Sequence, residues 1–307
     1  MKQKVALVLS SGGARGTAHI GVIREIIKQG YEISSISGSS MGALVGGIYA
    51  SGKLDEYESW LCSLSKINMF NLVDFTLSKK GIIKADKVLK KIQTFIPDQN
   101  IEDLPIKFAA VTTDLRNNSE VVLTEGSLFE AIRASISIPL VITPAEKNET
   151  LFVDGGVLNP VPVNRVFRHE GDILIAVNVN AQIPNQTSIS HNSEWRFFEN
   201  RIHGKLNRFQ KKLTKLITLN YKDNVGYLNL IGDTTYLMLS QISKLTLEIY
   251  PPDLIIEISR HTCGTFDFYK AKELIELGKV AAIEGLNKLI IQNPRHENKV
   301  SNNLRLQ

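Results

Sequence analysis

The 307-residue sequence has only two cysteines, Cys62 and Cys263. They are too few for a disulfide scaffold and lack metal-ligand spacing. No apolar run approaches the ~20 residues a helix needs to cross a bilayer. The N-terminus, Met1-Lys2-Gln3-Lys4-Val5-Ala6-Leu7-Val8-Leu9, turns from basic to apolar as a signal peptide would. Its apolar stretch is too short, however, and it breaks into Ser10-Ser11-Gly12-Gly13, so a first buried strand fits better. No internal repeat is visible. The composition does not favour disorder: 43% of residues are hydrophobic, and the 21 glycines bring the apolar share to about half, the ordinary globular value. The length suits one large α/β domain or two modest ones.

The net charge of +5 is unevenly placed. Glu194 to Lys222 holds eight basic residues (Arg196, Arg201, Lys205, Arg208, Lys211, Lys212, Lys215, Lys222) against Glu194 and Glu199, a local +6 that leaves −1 for the rest. Beside them, Trp195, Phe198, Ile202, Phe209, Leu213 and Leu216 recur at helical spacing. A basic amphipathic helix suits an anionic membrane surface; a helix packed on the domain with a solvated basic face is the alternative. No nucleic-acid-binding module accompanies the charge, so nucleic acid is not an expected partner. A cytoplasmic location follows, with a peripheral position at the inner face of a membrane left open by this segment.

Strand-like and helix-like patterns alternate along the chain. Val5 to Leu9 reads as a buried strand, followed by a glycine-rich turn, a helix from about Gly16 to Gln29, a strand over Ile33 to Ser37, and a second turn and helix to about Ser51. That order is the pattern of a parallel sheet covered by helices. Further strands are expected at Ile106–Thr113, Glu120–Thr124, Leu151–Val153, Ile173–Val179 and Leu254–Ile258, and helices at Lys84–Phe95 and Leu128–Ser135. A closing helix from about Phe268 to Gln292 has Asp267 available as its cap. Residues 181–250 read as a helical insertion and 293–307 as a polar, flexible tail.

Three motifs carry chemistry. Ser11-Gly12-Gly13-Ala14-Arg15-Gly16 follows a strand and opens a helix, where exposed amides and the helix dipole favour an anion. A dinucleotide-binding loop would need glycine in place of Ser11 and an acidic residue after the second strand, and a P-loop would need Gly-Lys-Ser/Thr; neither is present. Gly38-Ser39-Ser40-Met41-Gly42 has the G-x-S-x-G form between strand and helix, which projects the Ser40 hydroxyl at a helix N-terminus. Val153-Asp154-Gly155-Gly156 places an acid at a strand end, the edge where open α/β sheets keep their sites; a plain Asp-Gly turn is the other reading. A serine nucleophile needs a base, and the histidines are poor candidates. His191, His203 and His296 sit in polar segments, and only His261 follows a strand.

In this order the three motifs resemble those of the patatin-like phospholipase family: a G-G-x-R-G oxyanion loop, a G-x-S-x-G nucleophile and a D-G-G dyad aspartate. Ala18-His19-Ile20-Gly21-Val22, Thr113-Asp114-Leu115, Ala134-Ser135-Ile136-Ser137-Ile138-Pro139 and Asn159-Pro160-Val161-Pro162 are similar to the family's intervening segments. The similarity covers about residues 4–180 and resumes at Tyr250-Pro251-Pro252-Asp253, as in bacterial single-domain members. It implies one domain over 1–292, a three-layer α/β/α fold with a mainly parallel central sheet, and a helical insertion. Ser40 matches the nucleophile and Asp154 the base. Gly12, Gly13, Ala14 and Arg15 match the loop whose amides hold the oxyanion; Gly38 and Gly42 flank the nucleophile and Gly155 and Gly156 follow the aspartate. Ser11 stands where many members have a first glycine, and Leu140-Val141-Ile142-Thr143-Pro144 where Gly-x-Phe-x-Pro is commoner, a departure that bears on the acyl pocket. The implied activity is hydrolysis of phospholipid or lysophospholipid esters without metal or cofactor. A general esterase or acyl-CoA thioesterase with the same dyad, or a low-activity regulatory protein on this fold, are the alternatives.

Overall fold

The computed structural model describes residues 2–72, 74–78, 81–184 and 227–292. The basic stripe within 194–222 and the tail 293–307 lie outside these residues.

The chain opens with β1 (Lys4–Leu9), a 3-10 turn (Gly13–Thr17), α1 (Ala18–Lys28), β2 (Glu32–Ser39) and α2 (Met41–Ala50). After α3 (Leu54–Cys62) and α4 (Lys66–Leu72) come a hairpin of β3 (Phe75–Ser78) and β4 (Gly81–Ile83), then α5 (Asp86–Gln93). The sequence patterns had not marked α3, α4 or this hairpin. The chain continues through β5 (Lys107–Asp114), β6 (Ser119–Leu123), α6 (Leu128–Ser135), β7 (Ala145–Lys147), β8 (Thr150–Asp154) and β9 (Ile173–Ala181). It ends with α7 (Tyr227–Ile249), β10 (Leu254–Ser259) and α8 (Ala271–Gln292).

Strands β10, β9, β1, β2 and β5 lie side by side and parallel; β6, β8 and β7 add antiparallel pairs at the β5 edge. Both faces of β1 are covered, which is why its apolar run is continuous rather than alternating. Val5, Leu7 and Leu9 pack with Ile20, Ile23 and Leu286 of the helices on one face. Ala6 and Val8 pack with Leu174, Val161 and Val163 on the other, where Leu247 of α7 adds cover. The expected three-layer α/β/α arrangement is thus built by alternate residues of single strands.

Two details differ from the sequence reading. The first helix begins at Ala18, because Gly13–Thr17 winds as a tighter 3-10 turn. The closing helix begins at Ala271 after a 3-10 turn, and Asp267 makes no cap bond there. Its carboxylate instead accepts the Gly264 amide at 3.0 Å, closing the preceding loop.

Candidate active site

The edge of β5 sets the site. Ser35 to Ser39 of β2 pair in parallel with Lys107 to Val111 of β5, and Asp154 to Phe152 of β8 pair antiparallel with Thr112 to Asp114. β6 pairs with Ala110 to Asp114 and so occupies the opposite edge. Strands β2 and β8 therefore share one edge of β5 and meet end to end, with Ser39 opposite Val111 and Asp154 opposite the next residue, Thr112. This collision of two strand ends brings together residues 114 positions apart: the Ser40 hydroxyl donates to Asp154 Oδ2 at 2.5 Å.

Ser40 stands between β2 and α2 with φ 53° and ψ −120°, a strained backbone for a residue with a side chain. The turn is tight enough that a Cβ on Gly42 would lie 2.1 Å from the Leu9 carbonyl oxygen, so glycine is required there. Gly38 lies within β2, opposite Leu9 and Ala110. The Ser40 amide donates to Ser135 Oγ at 2.9 Å, and Ser135 Oγ donates onward to the Val111 carbonyl at 2.6 Å. That hydroxyl bridges the gap where the ladder passes from β2 to β8. Two residues on, the Ser137 carbonyl accepts the Asp154 amide at 3.0 Å. One short segment, Ser135 to Ser137, thus holds both Ser40 and Asp154 through their own backbones.

A second restraint comes from the serines of β2. Ser35, Ser37 and Ser39 point to one face of the sheet and donate to the carbonyls of Phe167, Pro162 (2.8 Å) and Asn159 (2.6 Å). They clasp the segment that leaves the Asp154 loop. Nothing in the hydropathy pattern had assigned these buried hydroxyls a task.

Asp154 is buried, and burial raises its pKa to about 6, although hydrogen bonds from Ser40 and the Gly156 amide oppose the rise. Its Oδ1 accepts the Gly156 amide at 2.7 Å, with Gly155 and Gly156 forming a 3-10 turn. A Cβ on Gly156 would lie 3.0 Å from Ser11, so this loop touches the glycine-rich one.

The glycine-rich loop is fixed from several sides. Ser11 donates its amide to the Pro160 carbonyl at 2.8 Å, and its own carbonyl accepts from Asn180 Nδ2 at 2.6 Å. Arg15 donates to Asn180 Oδ1 and to the Cys263 carbonyl, both at 3.0 Å, so its side chain braces the loop against the strand ends. The Ala14 amide donates to the Thr265 carbonyl at 2.8 Å. Of the residues expected to offer amides to an oxyanion, Ala14 is therefore already engaged. Gly13, at φ 55° in the left-handed region, makes the turn. The Gly12 and Gly13 amides have no acceptor among the described residues.

Among the described residues no histidine replaces Asp154 as the partner of Ser40. His261 is exposed, and His191, His203 and His296 lie outside the described residues. His19 is fully buried against the Ser10 carbonyl at 2.9 Å, and burial lowers its pKa to about 4. A neutral ring must donate from Nε2 to that carbonyl, which leaves Nδ1 without a partner.

Fold and site together define an α/β protein with a strained serine at a strand–helix turn and a buried carboxylate in contact with it. The family model for patatin-like phospholipases matches residues 7–167. An uncharacterised NTE family protein of Mycobacterium bovis is 34% identical over 94% of this chain and 93% of its own length. Lysophospholipase NTE1 of Saccharomyces cerevisiae is 28% identical over 64% of this chain and 12% of its own length. Patatin-like phospholipase domain-containing protein 7 of Mus musculus is 26% identical over 89% of this chain and 20% of its own length. The chain belongs to the patatin-like phospholipase family, a family of lipid hydrolases. Among the described residues no helix is long and apolar enough to cross a membrane.

Proposed function

We propose that the protein is a serine acyl hydrolase of lipid carboxylic esters, with Ser40 as nucleophile and Asp154 as its base. The observation that carries this reading is the 2.5 Å hydrogen bond from the Ser40 hydroxyl to a buried carboxylate. Asp154 Oδ2 takes the Ser40 proton as Oγ attacks the ester carbonyl. The tetrahedral oxyanion forms against the Gly12 and Gly13 amides, donors that need no reorganisation as charge develops. Asp154 returns the proton to the departing alcohol, leaving an acyl-serine. Water then attacks that ester, giving its proton to Asp154, and Ser40 recovers its own as the fatty acid leaves.

An ordinary aspartate is a weak base; a pKa of about 6 narrows the gap to a serine hydroxyl while leaving the group ionised at neutral pH. The matching region of a yeast lysophospholipase supports a lipid substrate over a short soluble ester. The test is hydrolysis of phospholipids and lysophospholipids beside short-chain esters and acyl-CoA. The reading expects Ser40→Ala and Asp154→Asn to abolish turnover in folded protein. A preference for acyl-CoA or short esters over every lipid tested would refute the assignment of substrate class.

A further inference from the structure

Six residues other than glycine have positive φ among those described, and Leu140, at φ 69°, is the only large apolar one. It occupies the third position of the turn Ile138-Pro139-Leu140-Val141, closed by the Val141 amide on the Ile138 carbonyl at 3.2 Å. Proline second and positive φ third is the pattern of a type II turn, whose third position calls for glycine. The chain places leucine there, and the residue is 63% exposed. Local stability explains neither choice, because a strained backbone and an apolar group in water both cost free energy.

The turn is firmly held. The Ile142 amide also bonds the Ile138 carbonyl at 2.8 Å, and Ile83 of β4 bonds both Val141 and Thr143. Arg133 reaches the Thr143 carbonyl at 3.0 Å and Ser137 Oγ at 2.6 Å. Three peptide units separate Leu140 from Ser137, whose carbonyl holds the Asp154 amide, so the two α-carbons are at most about 11 Å apart. Four residues after Asp154, Leu158 is 41% exposed. Lys84 follows Ile83 directly, and Lys90 and Lys91 lie further along α5, all three exposed.

The geometry points to the Leu140 turn, with the lysines beside it, as the element that docks on an anionic phospholipid surface and brings that surface to Ser40. The inference rests on the lipid-hydrolase reading and names the physical state of its substrate: a bilayer rather than dispersed monomers. An apolar side chain on a rigid turn enters the interface without further ordering of the chain, and neighbouring ammonium groups meet anionic headgroups. The strain is then offset only on the bilayer, where the leucine leaves water.

The test separates docking from catalysis. The 307-residue chain carrying Ser40→Ala, so that no lipid is consumed, is sedimented with vesicles of phosphatidylcholine alone or mixed with phosphatidylglycerol. It should partition onto the mixed vesicles, and adding Leu140→Asn should weaken partitioning about tenfold or more. Leu140→Gly should weaken it similarly while raising Tm, since glycine relieves the turn. Lys84→Gln with Lys91→Gln should lower binding to the mixed vesicles, most at low salt. The basic segment 194–222 is common to every variant and contributes equally. In otherwise wild-type protein, Lys84→Gln with Lys91→Gln should leave hydrolysis of a soluble short-chain ester unchanged. Equal partitioning with and without Leu140, no partitioning at all, or a fall in Tm for Leu140→Gly would overturn the proposal. So would an altered oligomeric state with unchanged vesicle binding, which would assign Leu140 to a contact between copies. Failure of the catalytic reading would appear elsewhere, as absence of fluorophosphonate labelling in wild-type protein, which the vesicle assay does not use.

Discussion

Ser40 and Asp154 touch because a third residue completes the backbone between them. Ser135 accepts the Ser40 amide and donates to the Val111 carbonyl, with no exposure of its own. Ser135→Ala leaves a buried donor and a buried acceptor unpaired, a cost of about 1–3 kcal/mol. The strained φ of Ser40 also loses its tether. We expect a lower Tm and, in protein still folded at the assay temperature, a fall of about tenfold or more in kcat, equivalent to about 1.4 kcal/mol. Ser137→Ala is the kinetic control: it loses the hydroxyl's bonds with Arg133 and so also lowers Tm, but its backbone carbonyl still accepts the Asp154 amide, and kcat should be kept. Calorimetry with steady-state kinetics distinguishes the two. At this scale the sequence was informative about the chemical groups but not their neighbours. Ser40 and Asp154 stood out by motif, whereas Ser135 lay in a segment notable only for its likeness to the family. Ala14 read as an oxyanion donor because its engagement with Thr265 spans a sequence separation no motif encodes.

Among the elements, the pairing of α1 with α8 holds the glycine-rich loop above the sheet. Gly21 of α1 lies against Ile275, where a Cβ would sit 1.9 Å from its carbonyl oxygen, and Gly278 of α8 lies equally close to Ala18. Two backbones in direct contact leave no room for a methyl group. Gly278→Ala must push the helices apart and disturb the turn leading into α1, costing about 1–3 kcal/mol by overpacking. Urea unfolding should show a lower midpoint without a change in slope. Strands with an unbroken apolar run and helices with a clear apolar face were legible from sequence, among them β1, β5, β9 and α6. What periodicity cannot show is which edge a strand takes. The meeting of β2 and β8 on one edge of β5 depends on pairing across the fold, and β8 has only five residues. The hairpin β3–β4 and the helices α3 and α4 are short elements whose place is settled by packing rather than by propensity.

For the molecule as a whole, catalysis and stability pull in opposite directions at Asp154. Its pKa rises from 3.8 in the unfolded reference to about 6. Below the lower value both states carry the proton. Between the two, the folded protein binds more protons than the unfolded chain, so stability falls as pH rises through that window. Above about pH 6 the deficit is constant, at most about 3 kcal/mol. Asp154→Asn removes it, so Tm at pH 7.5 should rise while hydrolysis is lost, the trade expected of a strained site. Activity has the reverse dependence: kcat/KM should increase with pH through about 6 and level off near neutrality, as the base becomes ionised.

The most direct measurement is intact-protein mass after treatment with a fluorophosphonate at neutral pH. The account predicts one adduct, mapped to Ser40, absent in Ser40→Ala and formed far more slowly in Asp154→Asn. An adduct that persists in Ser40→Ala, or one that forms at the wild-type rate in Asp154→Asn, would contradict it.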